Sequence, residues 1–257
     1  MVSSPNQLKR NNHSEQKSLS SNRWPKLLPV LTEEQKQIRE DFHKYWLEVL
    51  PKRYSLVEKF NHLYPLRTLS SQVKRTLEIG AGLGAHLRFE NLENQEYVAL
   101  ELSPELADVI RAVYPAVHVI VGDCQENIDF PDGYFDRVLA IHVLEHLPNL
   151  PKALDQIQRL LRPEGFFSVL IPCEGGVAYT LARNVSARRI FEKRYKQSYN
   201  WFVACEHINR PDKIISELRS RFSISHKTYW PLRIPIVSLN LVIGLTLMHL
   251  NPRAPVS

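Results

Sequence analysis

The sequence predicts a doubly wound α/β fold, a mostly parallel sheet with helices on both faces. Three observations carry that prediction. Apolar runs at 76–79, 97–101, 117–121, 135–141 and 165–171 alternate with helical stretches. These runs are apolar over most of their length and not only at every second residue, as strands buried on both faces are. The first run ends in a glycine-rich turn, "EIGAGLG", and the next two end on Glu101 and Asp123. Two further strand-like runs, at 222–230 and 238–248, bring the sheet to seven strands.

Each element has a local reason. Residues 1–30 are rich in Ser, Asn, Lys and Pro with scattered apolar residues, and are read as a disordered tail. Thr32 with Gln35 three residues on resembles a capping box, and Ile38, Phe42, Tyr45, Trp46 and Val49 follow at helical spacing until Pro51. A second short helix over 56–63 completes an N-terminal helical cap spanning 31–70. Ser103 caps a helix over 104–113 with Pro104 in its first turn, and Leu154, Ile157, Leu160 and Leu161 form the apolar face of another over 151–161. Residues 173–209 break the rhythm: they are aromatic, basic and irregular, an insertion within a main domain of 71–257. Pro211 opens a last helix over 211–221. The stretch "SLNLVIGLTLMHL" is too short for a membrane span and is interrupted by Asn240, Gly244, Thr246 and His249, so it is read as a buried strand.

Composition narrows the class. Apolar content of 44% and charged content of 23% are those of an ordinary globular protein. Cys124, Cys173 and Cys205 lie far apart without CxxC spacing, which argues against a disulfide framework or zinc site and for a reducing, cytoplasmic setting. No metal site is expected, and no secretory signal is legible at the N-terminus. The net charge of +6 is concentrated in residues 1–30 and 177–200, leaving the body of the chain acidic.

Ligands of open parallel sheets bind beyond the carboxyl ends of the strands. Gly80, Gly82 and Gly84 let the first turn close tightly while a ligand lies on bare backbone. A carboxylate at Glu101 can accept from two ribose hydroxyls, and one at Asp123 from an adenine amino group. Together they describe an adenosine site. The GxGxG spacing departs from the GxGxxG of a dinucleotide site.

Four stretches in order, "LEIGAGLGAHL", "VALELSP", "VGDCQENIDFPDGYFDRVLAIHVLEHLPN" and "ALDQIQRLLRPEGFFSVLIP", resemble class I S-adenosylmethionine-dependent methyltransferases over residues 72–172. The resemblance implies a Rossmann-like sheet whose last strand is antiparallel, and S-adenosyl-L-methionine as cofactor. It implies that Glu78, Gly80, Ala81, Gly82 and Gly84 surround the methionine end, Glu101 and Leu102 the ribose, and Asp123 and Cys124 the adenine. Ile141 and His142 would lie near the sulfonium.

An activated methyl donor leaves the protein to align a nucleophile and, for an alcohol, to supply a base. His142, Glu145 and His146 in "HVLEH" and Glu206 and His207 in "CEHIN" are the candidates, with His142, His146 and His207 as the catalytic set. The cysteines are read as packing residues. Arg188, Arg189, Tyr195 and Trp201 in the insertion are the candidate substrate contacts, since arginines and aromatics can bracket a sugar ring, a phosphate or a lipid headgroup. The expected acceptor is a small molecule or glycoconjugate methylated on oxygen, an anionic sugar or lipid headgroup being favoured. No transmembrane segment and no specific nucleic acid are expected, although the basic segments leave peripheral membrane contact open. An RNA methyltransferase and a non-catalytic binding protein are the alternatives.

Overall fold

The computed structural model describes residues 23–68 and 73–250. Seven strands form one sheet: β1 (Arg75–Ile79), β2 (Glu96–Glu101), β3 (His118–Val121), β4 (Phe135–Ile141), β5 (Leu161–Pro172), β6 (Phe222–Trp230) and β7 (Val242–His249), in the order β3-β2-β1-β4-β5-β7-β6. The strands β1 to β5 pair in parallel, while β7 lies antiparallel to both β5 and β6. The expected seven-stranded, mostly parallel sheet with an antiparallel last strand is thus what the chain forms. Strand β7 starts at Val242 and not at 238, because 237–239 make a turn of 3-10 helix. No helix among the described residues is long and apolar enough to cross a membrane.

Helices α1 (Glu33–Arg53) and α2 (Ser55–Leu63) precede the sheet, and α3 (Pro104–Val113) and α4 (Leu150–Leu160) connect its strands. The capping box forms reciprocally: the Gln35 N–H donates to Thr32 Oγ1 at 3.2 Å and the Thr32 N–H to Gln35 Oε1 at 3.0 Å. Ser103 accepts from the Leu106 N–H as an N-cap should. The apolar face of α4 is buried against β4 and β5 within the largest core cluster.

The insertion departs from expectation. It is helical, comprising α5 (Val177–Arg183), a π-helical turn (Asn184–Arg188), α6 (Arg189–Tyr195) and α7 (Tyr199–Glu206). Lys196 takes a left-handed φ of 56°, and with the π turn it interrupts the 3.6-residue period that would otherwise announce these helices. Phe42 of α1 packs edge-on against Phe191 and Phe202, with ring centres 5.1 Å apart in each case. The cap and the insertion therefore share one aromatic core, separate from the core of the sheet.

The tail reading falls largely outside the described residues, and 23–30 run without regular structure. Lys26 is nevertheless buried, its N–H donating to the Pro148 carbonyl and its Nζ to the Ile208 carbonyl at 2.7 Å.

One charged network lies wholly inside. Arg137, in the middle of β4, is fully buried and meets Glu90 at 2.6 Å, while His86 Nε2 meets the same carboxylate oxygen at 2.7 Å. Burial works against the Glu90 charge, yet the His86 hydrogen bond and the Arg137 charge pull its carboxyl down to about 2. A depressed carboxyl contributes stability that is full above its unfolded value near 4.5 and is lost as pH falls toward about 2. Glu90→Gln should cost about 2–3 kcal/mol at neutral pH, since it leaves Arg137 without its counter-charge. Urea unfolding at pH 7 and pH 3 checks this: the difference between wild type and variant should shrink at the lower pH.

Candidate active site

Gly80, Gly82 and Gly84 all take positive φ, at 67°, 58° and 72°, which is why the turn after β1 requires glycine. A Cβ on Gly80 would come within 2.6 Å of Val143 Cγ2, so this turn abuts the segment that follows β4. Gly82 is different, because a Cβ there would meet nothing within 4 Å. The bare backbone at Gly82 faces open space where a ligand can lie against it, while neighbouring Ala81 is buried.

Glu101 closes β2 beside this turn and is buried. Its Oε2 accepts the Gly82 N–H at 2.7 Å and its Oε1 the Ser103 N–H at 3.0 Å. Each oxygen keeps a lone pair for a further donor, such as a hydroxyl. Leu102 follows with 67% of its surface exposed, an apolar shelf next to a buried carboxylate. After β3, Asp123 Oδ1 accepts the Gln125 N–H at 2.8 Å. Cys124 is buried, which pushes its thiol up to about 12 and leaves it no nucleophilic use at neutral pH.

Glu78 sits elsewhere than the turn's open side. Its carboxylate is buried and accepts from Tyr97 Oη at 2.8 Å, and burial pushes its carboxyl up. The open Gly82 face and the buried, half-satisfied Glu101 carboxylate fit an adenosyl cofactor bearing a ribose. The Glu78 carboxylate is already engaged within the fold.

A cluster of ionisable side chains follows β4 and β5. Ile141 ends β4, and His142 takes a φ of 55°, a conformation that non-glycine residues seldom hold outside sites that need it. Its N–H donates to the Leu170 carbonyl, which fixes the strand ends together. His142 Nδ1 stands 3.3 Å from Glu145 Oε1, and the other oxygen of that buried carboxylate has no hydrogen-bond partner among the described residues. Burial opposes the Glu145 charge, but the hydrogen bond from His142 and the charge of His146 hold its carboxyl below the ordinary range.

His146 Nδ1 lies 2.6 Å from the Glu206 carbonyl, and burial pushes its imidazole below the ordinary range. Glu206 is itself encircled. Burial works against its charge, but His43, His146 and Arg39 pull the carboxyl down to about 2. The ring of His207 stands edge-on to His146 at 5.3 Å, with its Nδ1 2.9 Å from Glu174 Oε2. Glu174 follows β5 and also pairs with Arg183. Burial opposes its charge too, yet the His207 hydrogen bond and the Arg183 charge hold its carboxyl below the usual range.

The three histidines singled out in the sequence thus gather around Glu145 and Glu174. Sequence reasoning missed Glu174, although "CEGG" directly after the fifth strand marks the position at which a functional carboxylate would sit. The insertion candidates lie apart from this cluster. Arg188 is engaged within the insertion by Asn184, Glu192 and Asn200, while at the seam with α1 Tyr195 Oη donates to Asp41 and Trp201 packs on Phe191. Arg189 is exposed.

Residues 77–169 match the family described as "Methyltransferase domain". The chain is 32% identical over 99 residues to the malonyl-[acyl-carrier protein] O-methyltransferase of Serratia marcescens, covering 38% of each chain. It is 31% identical over 129 residues to the probable phthiotriol/phenolphthiotriol dimycocerosates methyltransferase 2 of Mycobacterium ulcerans, covering 46% of this chain and 50% of that one. It therefore spans half or less of the length of these curated relatives. Its fold is similar to a TehB-like SAM-dependent methyltransferase from Corynebacterium glutamicum, with a TM-score of 0.56 at 14% identity over 84% of this chain and 100% of the other. Sheet order, glycine turn and family match agree: residues 77–169 form a methyltransferase domain on the class I S-adenosylmethionine-dependent methyltransferase fold, and S-adenosyl-L-methionine is the cofactor this match implies.

Proposed function

We propose that this chain, built on a class I methyltransferase domain, transfers a methyl group to an oxygen of a small-molecule, glycoconjugate or lipid-type acceptor. The observation that carries the reading is the His207–Glu174 pair, which stands against the segment that abuts the glycine turn. Bound S-adenosyl-L-methionine supplies a methyl group already activated on a sulfonium.

The residues then divide the work. Glu101 would hold the ribose hydroxyls with Leu102 beside it, Asp123 with the backbone at Cys124 the adenine, and the Gly80–Gly84 backbone with Ile141 and His142 the methionine end. Glu174 fixes the proton of His207 on Nδ1, so that Nε2 is the free acceptor for a hydroxyl proton. Arg183 keeps the Glu174 carboxylate charged and in place. His146 is likewise held through Nδ1, by the neutral Glu206 carbonyl, and burial pushes its imidazole below the ordinary range, which makes it the weaker base of the two.

Charge pairing favours this reading over RNA methylation. Within the basic insertion, Arg183, Arg188 and Arg194 are matched by Glu174, Glu192 and Asp41. A nucleic-acid groove needs cations free to meet phosphates. Methyl-labelled cofactor incubated with lipid, small-molecule and RNA fractions of the producing cell tests the proposal. Label should enter the lipid or small-molecule fraction. Label in RNA alone, or none while the cofactor binds, would overturn it.

A further inference from the structure

The carboxyl rim of the sheet, on its β6 side, carries a surface that methyl transfer does not use. The loop between Trp230 and Val242 is braced from within by Asn240, which is fully buried. The Asn240 side chain accepts the Leu232 N–H and donates to the Ile234 and Ile236 carbonyls, each at 2.9 Å. The Arg233 N–H donates back to the Tyr229 carbonyl at 3.0 Å. With its backbone held in this way, the loop presents Leu232, Ile234, Ile236 and Leu239 to solvent, each between 42% and 52% exposed.

This loop touches the start of α5, where a Cβ on Gly176 would lie 2.8 Å from the Val237 carbonyl. From there Val177, Leu181 and Val185 follow at every fourth residue, all exposed. A helix normally turns such a stripe inward. Single exposed apolar residues need no explanation, but a contiguous set on a braced loop and an adjoining helix marks an interaction surface.

On the other side of Trp230 is a depression of about 300 Å³ against α2. Phe60 stacks on Trp230 at 5.9 Å, and Leu56, 72% exposed, forms part of its wall. The charged residues lining it are Lys59, Arg67 and Arg233, with no carboxylate. None of these three forms an ion pair among the described residues.

We propose that this rim docks on an anionic lipid bilayer. The loop 231–239 and the α5 stripe enter the boundary between headgroups and acyl chains, and Lys59, Arg67 and Arg233 meet lipid phosphates. Apolar side chains flanked by charge of one sign are what an anionic membrane surface attracts. A second copy of this chain is disfavoured as the occupant, because a twofold contact would set the same cations against themselves. The surface lies at the carboxyl end of the sheet, so an acceptor carried by a lipid could reach the histidine cluster from the membrane. That consequence rests on the methyl-transfer reading, whereas docking itself does not.

Co-sedimentation of the full chain with vesicles of phosphatidylcholine alone, or mixed with phosphatidylglycerol, tests the proposal. The chain should bind mixed vesicles at least about tenfold more tightly than neutral ones, with the difference lost at high salt. Lys59→Glu should weaken binding by about 25-fold, roughly fivefold for each unit of charge changed. Leu181→Asp with Ile236→Asp should weaken it at least about tenfold while cofactor affinity stays at the wild-type value. Equal binding to both vesicles, or to neither, would overturn the proposal. So would vesicle binding that survives the double variant, which would place the contact in the basic N-terminal segment. A dimer in light scattering that the double variant dissociates would assign the rim to a second copy instead. If vesicles bind normally but the cofactor does not, the methyl-transfer reading falls and this one stands.

Discussion

Glu101→Ala will weaken S-adenosyl-L-methionine binding by about two to four orders of magnitude. The carboxylate is buried at the end of β2 with one lone pair left on each oxygen. Two hydroxyl donors to a charged acceptor are worth about 1.5–3 kcal/mol each, and every 1.4 kcal/mol is about tenfold in affinity. The same carboxylate accepts the Gly82 N–H, so its removal also loosens the turn on which the methionine end would rest. Glu101→Gln separates the two effects, because an amide can accept from one partner but turns a donor toward the other. Calorimetry with S-adenosyl-L-methionine and its demethylated product reads both variants, with NAD as the control ligand. Wild-type affinity in Glu101→Ala would remove the adenosine site from this turn.

His207→Ala should lower kcat by about 10²–10⁴ while leaving cofactor affinity unchanged, the range expected for loss of a positioned general base. Glu174→Gln should cost about 10–100-fold, the usual effect of removing a residue that orients an imidazole. Its effect should fall on kcat and spare KM, and Glu174→Asp should recover part of it. Because the Glu174 carboxyl is held below the ordinary carboxylate range, its charge survives mild acid, and the Glu174→Gln defect should persist there. His146→Ala should cost less than about tenfold in kcat and appear mainly as lost stability, since that ring is tied to the Glu206 carbonyl. A large kcat defect in His146→Ala with little in His207→Ala would reverse the two assignments.

Much of the cofactor side was legible because its signals are local. A glycine at positive φ, a carboxylate at a strand end and a serine before a proline-led helix each act within a few residues of where they stand. The acceptor side was legible only as residue types. His142, His146 and His207 stood out, but what orients His207 is Glu174, 33 residues earlier, brought in by the turn after β5. Of the insertion's arginines, Arg188 meets Glu192 one turn on, a local partner, whereas Arg194 meets Asp41, 153 residues away. Arg137, within the run at 135–141, is the counter-charge of Glu90, which lies 47 residues earlier.

By itself, then, the sequence determined the sheet, its strand count, the helix starts outside the insertion and the place of the glycine turn. These follow from period, capping and backbone freedom, all of them short-range properties. The tertiary structure alone decided the pairing of α1 with the insertion, the partners of the buried charges and the exposure of the 231–239 loop. Burial and ion pairing depend on which distant segments meet. An apolar residue reads the same in the sequence whether the fold covers it, as it does Phe42, or leaves it in water, as it does Leu181.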